Sequence, residues 1–125
     1  MAKILIVDDE KDLAYVLSDI LKLEGYETTS VLDGYRAIEE IKKTHYDLIL
    51  MDIRLPGING VETFIQIKKI DPEERVVMMT GYAVEDLIKK AFREGAYACI
   101  HKPFDLQKVI GLIQKVISEN KIEYK

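Results

Sequence analysis

Five short runs separated by helical patterns constrain this chain more than any other feature. The runs are residues 4–7 (ILIV), 28–32 (TTSVL), 48–51 (LILM), 76–79 (VVMM) and 98–100 (ACI). Three of them, ILIV, LILM and VVMM, are apolar without a break. A strand wet on one face alternates apolar and polar side chains. An unbroken apolar run instead fits a strand covered on both faces, as in a parallel sheet between helices. TTSVL is more polar and fits an edge strand.

The segments between the runs carry helical periodicity. Leu13, Val16, Leu17, Ile20 and Leu21 share one face of an ideal helix, with Gly25 as a stop. Ala37, Ile38 and Ile41 form a shorter stripe. Phe64, Ile67 and Lys68 belong to a third helix, entered after Gly60 and delayed by Leu55-Pro56-Gly57. Val84, Leu87, Ile88 and Ala91 form a fourth, closed by Gly95. Leu106, Val109, Ile110, Ile113 and Ile117 form the last. The pattern is (βα)5: one α/β domain over residues 1–125, with a five-stranded parallel sheet and helices on both faces. At 125 residues such a domain buries enough surface to need no staples.

Composition narrows the function. The formal charge of −4 leaves no basic excess for phosphate backbones, which argues against direct nucleic-acid binding. The single cysteine, Cys99, excludes an internal disulfide and a cysteine zinc cage. No apolar run approaches the roughly 18 residues of a membrane span, and MAKILIVDDE lacks the order of a signal peptide. A cytoplasmic protein without membrane insertion is the expectation.

Right-handed crossovers place all strand C-terminal ends on one edge, where such sheets put their functional crevice. The exits there are polar: Asp8-Asp9-Glu10, Asp52, Thr80-Gly81 and Lys102-Pro103, with Asp33-Gly34 as a plain turn. Carboxylates about 5 Å apart repel by roughly 3 kcal/mol per pair at an effective dielectric near 20. Such a cluster requires a proton or a cation, and hard oxygens with room for water suit Mg²⁺. Asp8-Asp9 alone could equally be a helix N-cap, and Lys102 could be a snorkelling surface lysine. Asp52 has no capping role, because the next helix is delayed. Acids, an ammonium and the Thr80 hydroxyl together form a site for a phosphoryl group, with Asp52 as the nucleophile that becomes an aspartyl phosphate.

ILIVDDE, LILMDIRLPGINGVE, VVMMTGYA, Gly95-Ala96 and HKPFD, in this order over about 100 residues, resemble the receiver domain of two-component response regulators. The resemblance implies a flavodoxin-like fold with strand order 2-1-3-4-5. It implies a phosphorylation-dependent switch that takes a phosphoryl group from a phosphohistidine on a sensor kinase or histidine phosphotransfer protein. Carried over by position, Asp52 is the acceptor. Asp9, Asp52 and the backbone carbonyl of Arg54 bind Mg²⁺, with Asp8 assisting through water. Lys102 contacts a phosphoryl oxygen, and Thr80 moves to bond the phosphoryl group. Lys102–Pro103 matches the family's cis peptide, and Pro56 and Gly60 match the loop after the acceptor. Arg54 and Tyr82 match positions that govern how fast water reaches the phosphoryl group.

One position departs from the family. Cys99 stands where an aromatic switch residue is usual, and a thiol cannot swing a ring between pockets. Tyr97 and His101 share its strand parity and are expected on the same surface, and His45 is expected to cap a surface turn. The outer face of the first helix (Asp12, Tyr15, Ser18, Asp19 and Lys22) is a candidate partner surface. The last helix, through Leu112, and the fifth strand are candidates for homodimerisation or output. Residues 118–125 read as a solvated helix end. The chain reads as a stand-alone receiver or as one cut from a larger regulator.

Other functions fit less well. An aspartyl-nucleophile phosphatase resembling the haloacid dehalogenase group would need a second Asp where Arg54 stands. A flavin or nucleotide carrier would need a phosphate-cradling loop where Asp8-Asp9-Glu10 stands. A binding-only degenerate receiver would not need the complete acid–threonine–lysine set. The expectation is therefore a switch that catalyses only its own phosphorylation and dephosphorylation, with no turnover of a free substrate.

Overall fold

The computed structural model describes residues 1–82 and 84–122. Strands and helices alternate strictly: β1 (Lys3–Val7), α1 (Lys11–Leu23), β2 (Glu27–Val31), α2 (Gly34–Lys43), β3 (Leu48–Asp52), α3 (Gly60–Ile70), β4 (Val76–Thr80), α4 (Glu85–Arg93), β5 (Ala98–His101) and α5 (Leu106–Ile122). All strand pairs are parallel, in the order β2-β1-β3-β4-β5. The three apolar runs are the three central strands. The polar run, TTSVL, is an edge.

The pleat divides the core in two. Leu5, Val7, Ile49, Met51, Val76 and Met78 face α2, α3 and α4, whose Ala37, Ile41, Phe64, Ile67 and Ala91 are buried against them. Ile4, Ile6, Leu48, Leu50, Val77 and Met79 face α1 and α5. Neighbouring residues on one strand thus feed different layers, which is why the buried middle of each of these strands is apolar throughout.

Several side chains sit elsewhere than periodicity suggests. The buried stripe of α1 is Ala14, Leu17 and Leu21, so Val16 is left 52% exposed. Ala14, at the N-terminal end of that stripe, lets the helix lie close to the sheet, and Val16 turns outward. Ser18, expected outside, is half-buried and hydrogen-bonded to Thr28 of β2. In α5, Val116 is fully buried while Leu106 is exposed, and Leu112 packs partly against the core. Tyr97 and Cys99 do not share a surface: Tyr97 packs on the α1/α5 side and Cys99 on the other. Tyr97 precedes β5, so pleat alternation does not reach it. Asp33 is not a plain turn; its side chain caps α2 by accepting from Arg36 N at 2.8 Å. Ala83 of the VVMMTGYA motif and residues 123–125 of the tail lie outside the described residues.

Candidate functional site

Local chemistry sets the strand exits. β1 ends at Val7, so Asp8 is free of the pleat; its N–H bonds Val31 O at 3.2 Å and its Oδ1 accepts from Glu10 N at 2.9 Å. β3 ends at Asp52, whose Oδ1 accepts from Arg54 N at 3.1 Å. A capping box then fixes the start of α3: Asn59 Oδ1 accepts from Glu62 N at 2.9 Å and Glu62 Oε1 accepts from Asn59 N at 3.2 Å. The box holds Gly60 against the acceptor strand, with its N–H bonded to Ile53 O at 2.8 Å. A Cβ there would lie 2.1 Å from the carbonyl oxygen of Asp52. Only glycine permits that approach.

Lys102 joins the exits. Its N–H bonds Thr80 O at 2.8 Å, continuing the β4–β5 register past His101, and the Lys102–Pro103 bond is cis. The ammonium donates to Asp8 Oδ2 at 2.9 Å, Glu10 Oε1 at 2.9 Å and Asp52 Oδ2 at 3.0 Å. Its three N–H bonds therefore meet three carboxylates from two strand ends. Asp8 and Asp52 are buried, and Glu10 is exposed.

Burial pushes the Asp52 carboxyl up to about 6; Lys102 pulls it back, and Asp8 adds to the rise. Burial alone would lower the Lys102 ammonium, but its bonds to Asp8, Glu10 and Asp52 hold it above the ordinary lysine value. Three carboxylates and one ammonium leave the cluster with two negative charges when all are ionised. One oxygen each of Asp8, Glu10 and Asp52 lies within 4.8 Å of the others, a donor set that could hold a metal ion. Hard oxygens and a residual charge of −2 fit a hard dication such as Mg²⁺.

Glu10, rather than Asp9, joins the lysine. Asp9 is exposed beside the group. Glu10 precedes the first residue of α1, and its longer side chain reaches back over the strand end. The acidic run signalled the cluster, but alternation could not say which members converge.

Thr80 is fully buried, and its hydroxyl is spent on the backbone of Tyr82: it donates to Tyr82 O at 3.1 Å and accepts from Tyr82 N at 3.0 Å. The Arg54 guanidinium stacks on the Tyr82 ring, 4.8 Å from its centre. The two residues singled out as flanking the phosphoryl position thus contact each other. Cys99 is half-buried, and burial pushes its thiol up, away from the reactive thiolate.

Sheet order, strand exits and the lysine–carboxylate cluster define a receiver-type α/β domain. Residues 4–114 match the family described as "Response regulator receiver domain", and the chain belongs to that family. It is 35% identical over 115 residues to Sporulation initiation phosphotransferase F of Bacillus subtilis (strain 168), covering 92% of this chain and 93% of that protein. Among solved structures it resembles a CheY-like receiver domain protein from Methanospirillum hungatei JF-1, with a TM-score of 0.95, 30% identity and 98% of each chain covered. It also resembles the response regulator TrrA of Thermotoga maritima in complex with Mg(2+)-BeF, with a TM-score of 0.82, 30% identity, and 93% of this chain and 99% of that chain covered. The protein is thus a response-regulator receiver domain of the two-component and phosphorelay type. Receiver domains work with histidine kinases or phosphotransfer proteins. No helix among the described residues is long and apolar enough to cross a membrane.

Proposed function

We propose that Asp52 accepts a phosphoryl group from a phosphohistidine and that the resulting acyl phosphate switches the domain between two conformations. The observation that carries this reading is the convergence of Asp8, Glu10 and Lys102 on one buried acceptor carboxylate. An Asp52 oxygen attacks phosphorus, the P–N bond to the imidazole breaks, and the imidazole leaves with the electron pair. Lys102 is placed to neutralise charge on a phosphoryl oxygen. Arg54 N, already bonded to Oδ1, orients the carboxylate.

Asp8, Asp9, Asp52 and the carbonyl of Arg54 would hold Mg²⁺. The ion would supply charge neutralisation on the phosphoryl oxygens. The similar TrrA structure is a complex with Mg(2+)-BeF, which supports Mg²⁺ as the ion. Thr80 must release the Tyr82 backbone before its hydroxyl can reach a phosphoryl group. That exchange of partners is the two-state element that phosphorylation biases. Cys99 leaves the usual aromatic partner of this movement missing.

The domain turns over no free substrate and acts in the cytoplasm. Its partner is a sensor kinase or a histidine phosphotransfer protein, in keeping with the phosphotransferase name of its sporulation relative. Tyr15 is 70% exposed, and with Val16 it gives the outer face of α1 an apolar centre for that partner.

The test is to incubate the protein with Mg²⁺ and acetyl phosphate and to weigh it intact. A gain of one phosphoryl group, absent in Asp52→Asn and without Mg²⁺, is expected. Steady phosphate release without a labelled protein would favour a hydrolase instead.

A further inference from the structure

The opposite edge of the sheet carries a second cluster that phosphorylation does not use. His45 lies between α2 and β3, and Asp71 and Glu74 lie between α3 and β4. His45 Nδ1 is 2.7 Å from Asp71 Oδ2 and 3.2 Å from Glu74 Oε2. One ligating atom of each residue lies within 4.8 Å of the others, and all three line a cleft of about 760 Å³.

Glu74 is the anomaly. Its side chain is fully buried in the wall of this cleft. Oε2 accepts from Tyr46 N at 2.9 Å, whereas Oε1 has no hydrogen-bond partner among the described residues. The Asp71 and Glu74 carboxyls also touch each other. A buried acceptor without a donor, beside a second carboxylate, calls for a proton or a cation. Two of the cations that line the same cleft have partners outside the cluster. Lys68 Nζ donates to Pro72 O at 3.2 Å, and Arg75 pairs with Glu119 at 3.6 Å.

We propose that His45, Asp71 and Glu74 bind one divalent transition-metal ion of the Zn²⁺ type at the edge of the sheet opposite Asp52. One imidazole nitrogen with two carboxylates is a three-ligand set that zinc accepts, leaving a fourth position for water. Imidazole favours such ions over Mg²⁺, for which the all-oxygen cluster around Asp52 is suited. Zinc bonds of about 2.0–2.2 Å put tetrahedral ligands roughly 3.3–3.6 Å apart. The present separations of 2.7 and 3.2 Å need to open by about 1 Å or less. Half of the His45 side chain is exposed, so the ion has a path in. Once bound, it ties together the loops that enter β3 and β4 and stabilises the folded chain by mass action.

The test is a calorimetric titration of the metal-stripped chain with Zn²⁺ in excess Mg²⁺, which occupies the acidic cluster around Asp52. One Zn²⁺ per chain is expected for the parent and for Asp52→Asn, with binding weakened at least roughly tenfold in His45→Gln. Zinc is also expected to raise the melting temperature of the parent and not that of His45→Gln, whose half-exposed position tolerates the change. Absence of zinc binding by the parent, equal binding by His45→Gln, or loss of binding in Asp52→Asn would overturn the proposal. Labelling of Asp52 is read separately, so either assignment can fail alone.

Discussion

The two edges of the sheet each gather three ligating side chains, but only the first holds a lysine ammonium. At the C-terminal edge Lys102 sits among Asp8, Glu10 and Asp52, with each of its three N–H bonds used. At the N-terminal edge the imidazole of His45 must serve two carboxyls, and one buried oxygen of Glu74 is left over. The contrast separates two ways of holding buried negative charge. A lysine fixed by its strand can give way to a phosphoryl group. A histidine on a loop can exchange its proton for a softer ion.

Removing the ammonium breaks the first arrangement. Lys102→Met leaves two buried carboxylates, Asp8 and Asp52, without their counter-charge. In chelated buffer it is expected to lose about 3 kcal/mol in urea unfolding, with part regained in Mg²⁺. If Mg²⁺ restores nothing, the acids do not share an ion. Gly60→Ala should cost about 2 kcal/mol, because its methyl group would collide with the Asp52 carbonyl, and it should slow labelling of Asp52 by acetyl phosphate. An unchanged unfolding midpoint would mean that the capping-box turn yields freely.

The second arrangement is sharpened by pH in zinc-free, chelated buffer. Burial raises the Glu74 carboxyl from 4.5 to about 7, although Tyr46 N–H and His45 pull against the rise. Its contribution to stability is therefore complete below about pH 4.5 and is lost as pH climbs through about 7. For His45, burial works to lower the imidazole, but the bond to Asp71 and the charge of Glu74 outweigh it, so its contribution also fades above pH 6.5. Asp71, lowered by His45 against burial, acts in the opposite sense only at lower pH. The parent should lose on the order of 1–3 kcal/mol between pH 5 and 8, and Glu74→Gln distinctly less. Parallel curves for the two proteins would contradict this.

The smallest effect is expected from the Arg54–Tyr82 pair. Arg54→Ala or Tyr82→Ala removes an exposed ring contact and should shorten the lifetime of the phosphorylated protein by a few-fold, followed as loss of the phosphoryl mass. An unchanged hydrolysis rate in both variants would show that the pair does not screen the site.

Much of the first edge was legible in the sequence, because three unbroken apolar runs end abruptly in Asp8, Asp52 and Thr80, and Lys102 follows the fifth strand. The continuous runs also gave the parallel sheet, and the family motifs its strand order. The choice of Glu10 over Asp9 was not legible, since it depends on side-chain reach past a strand end. Val16 was misplaced because periodicity marks a face but not how far a small residue such as Ala14 turns the helix. The second edge was hidden for a different reason. His45, Asp71 and Glu74 lie in loops with no periodic signal, and their separations of 26 and 29 positions from His45 match no motif. Only the packing of the α2–β3 and α3–β4 loops brings them together.

The central claim is that Asp52, and neither of the other two carboxylates that Lys102 holds, takes the phosphoryl group. Borohydride reduction after acetyl phosphate treatment converts an acyl phosphate to an alcohol, and peptide sequencing by mass spectrometry then locates it. The structure predicts homoserine at position 52 alone. Reduction products at another carboxylate, or none anywhere in a protein that has gained phosphoryl mass, would contradict the account.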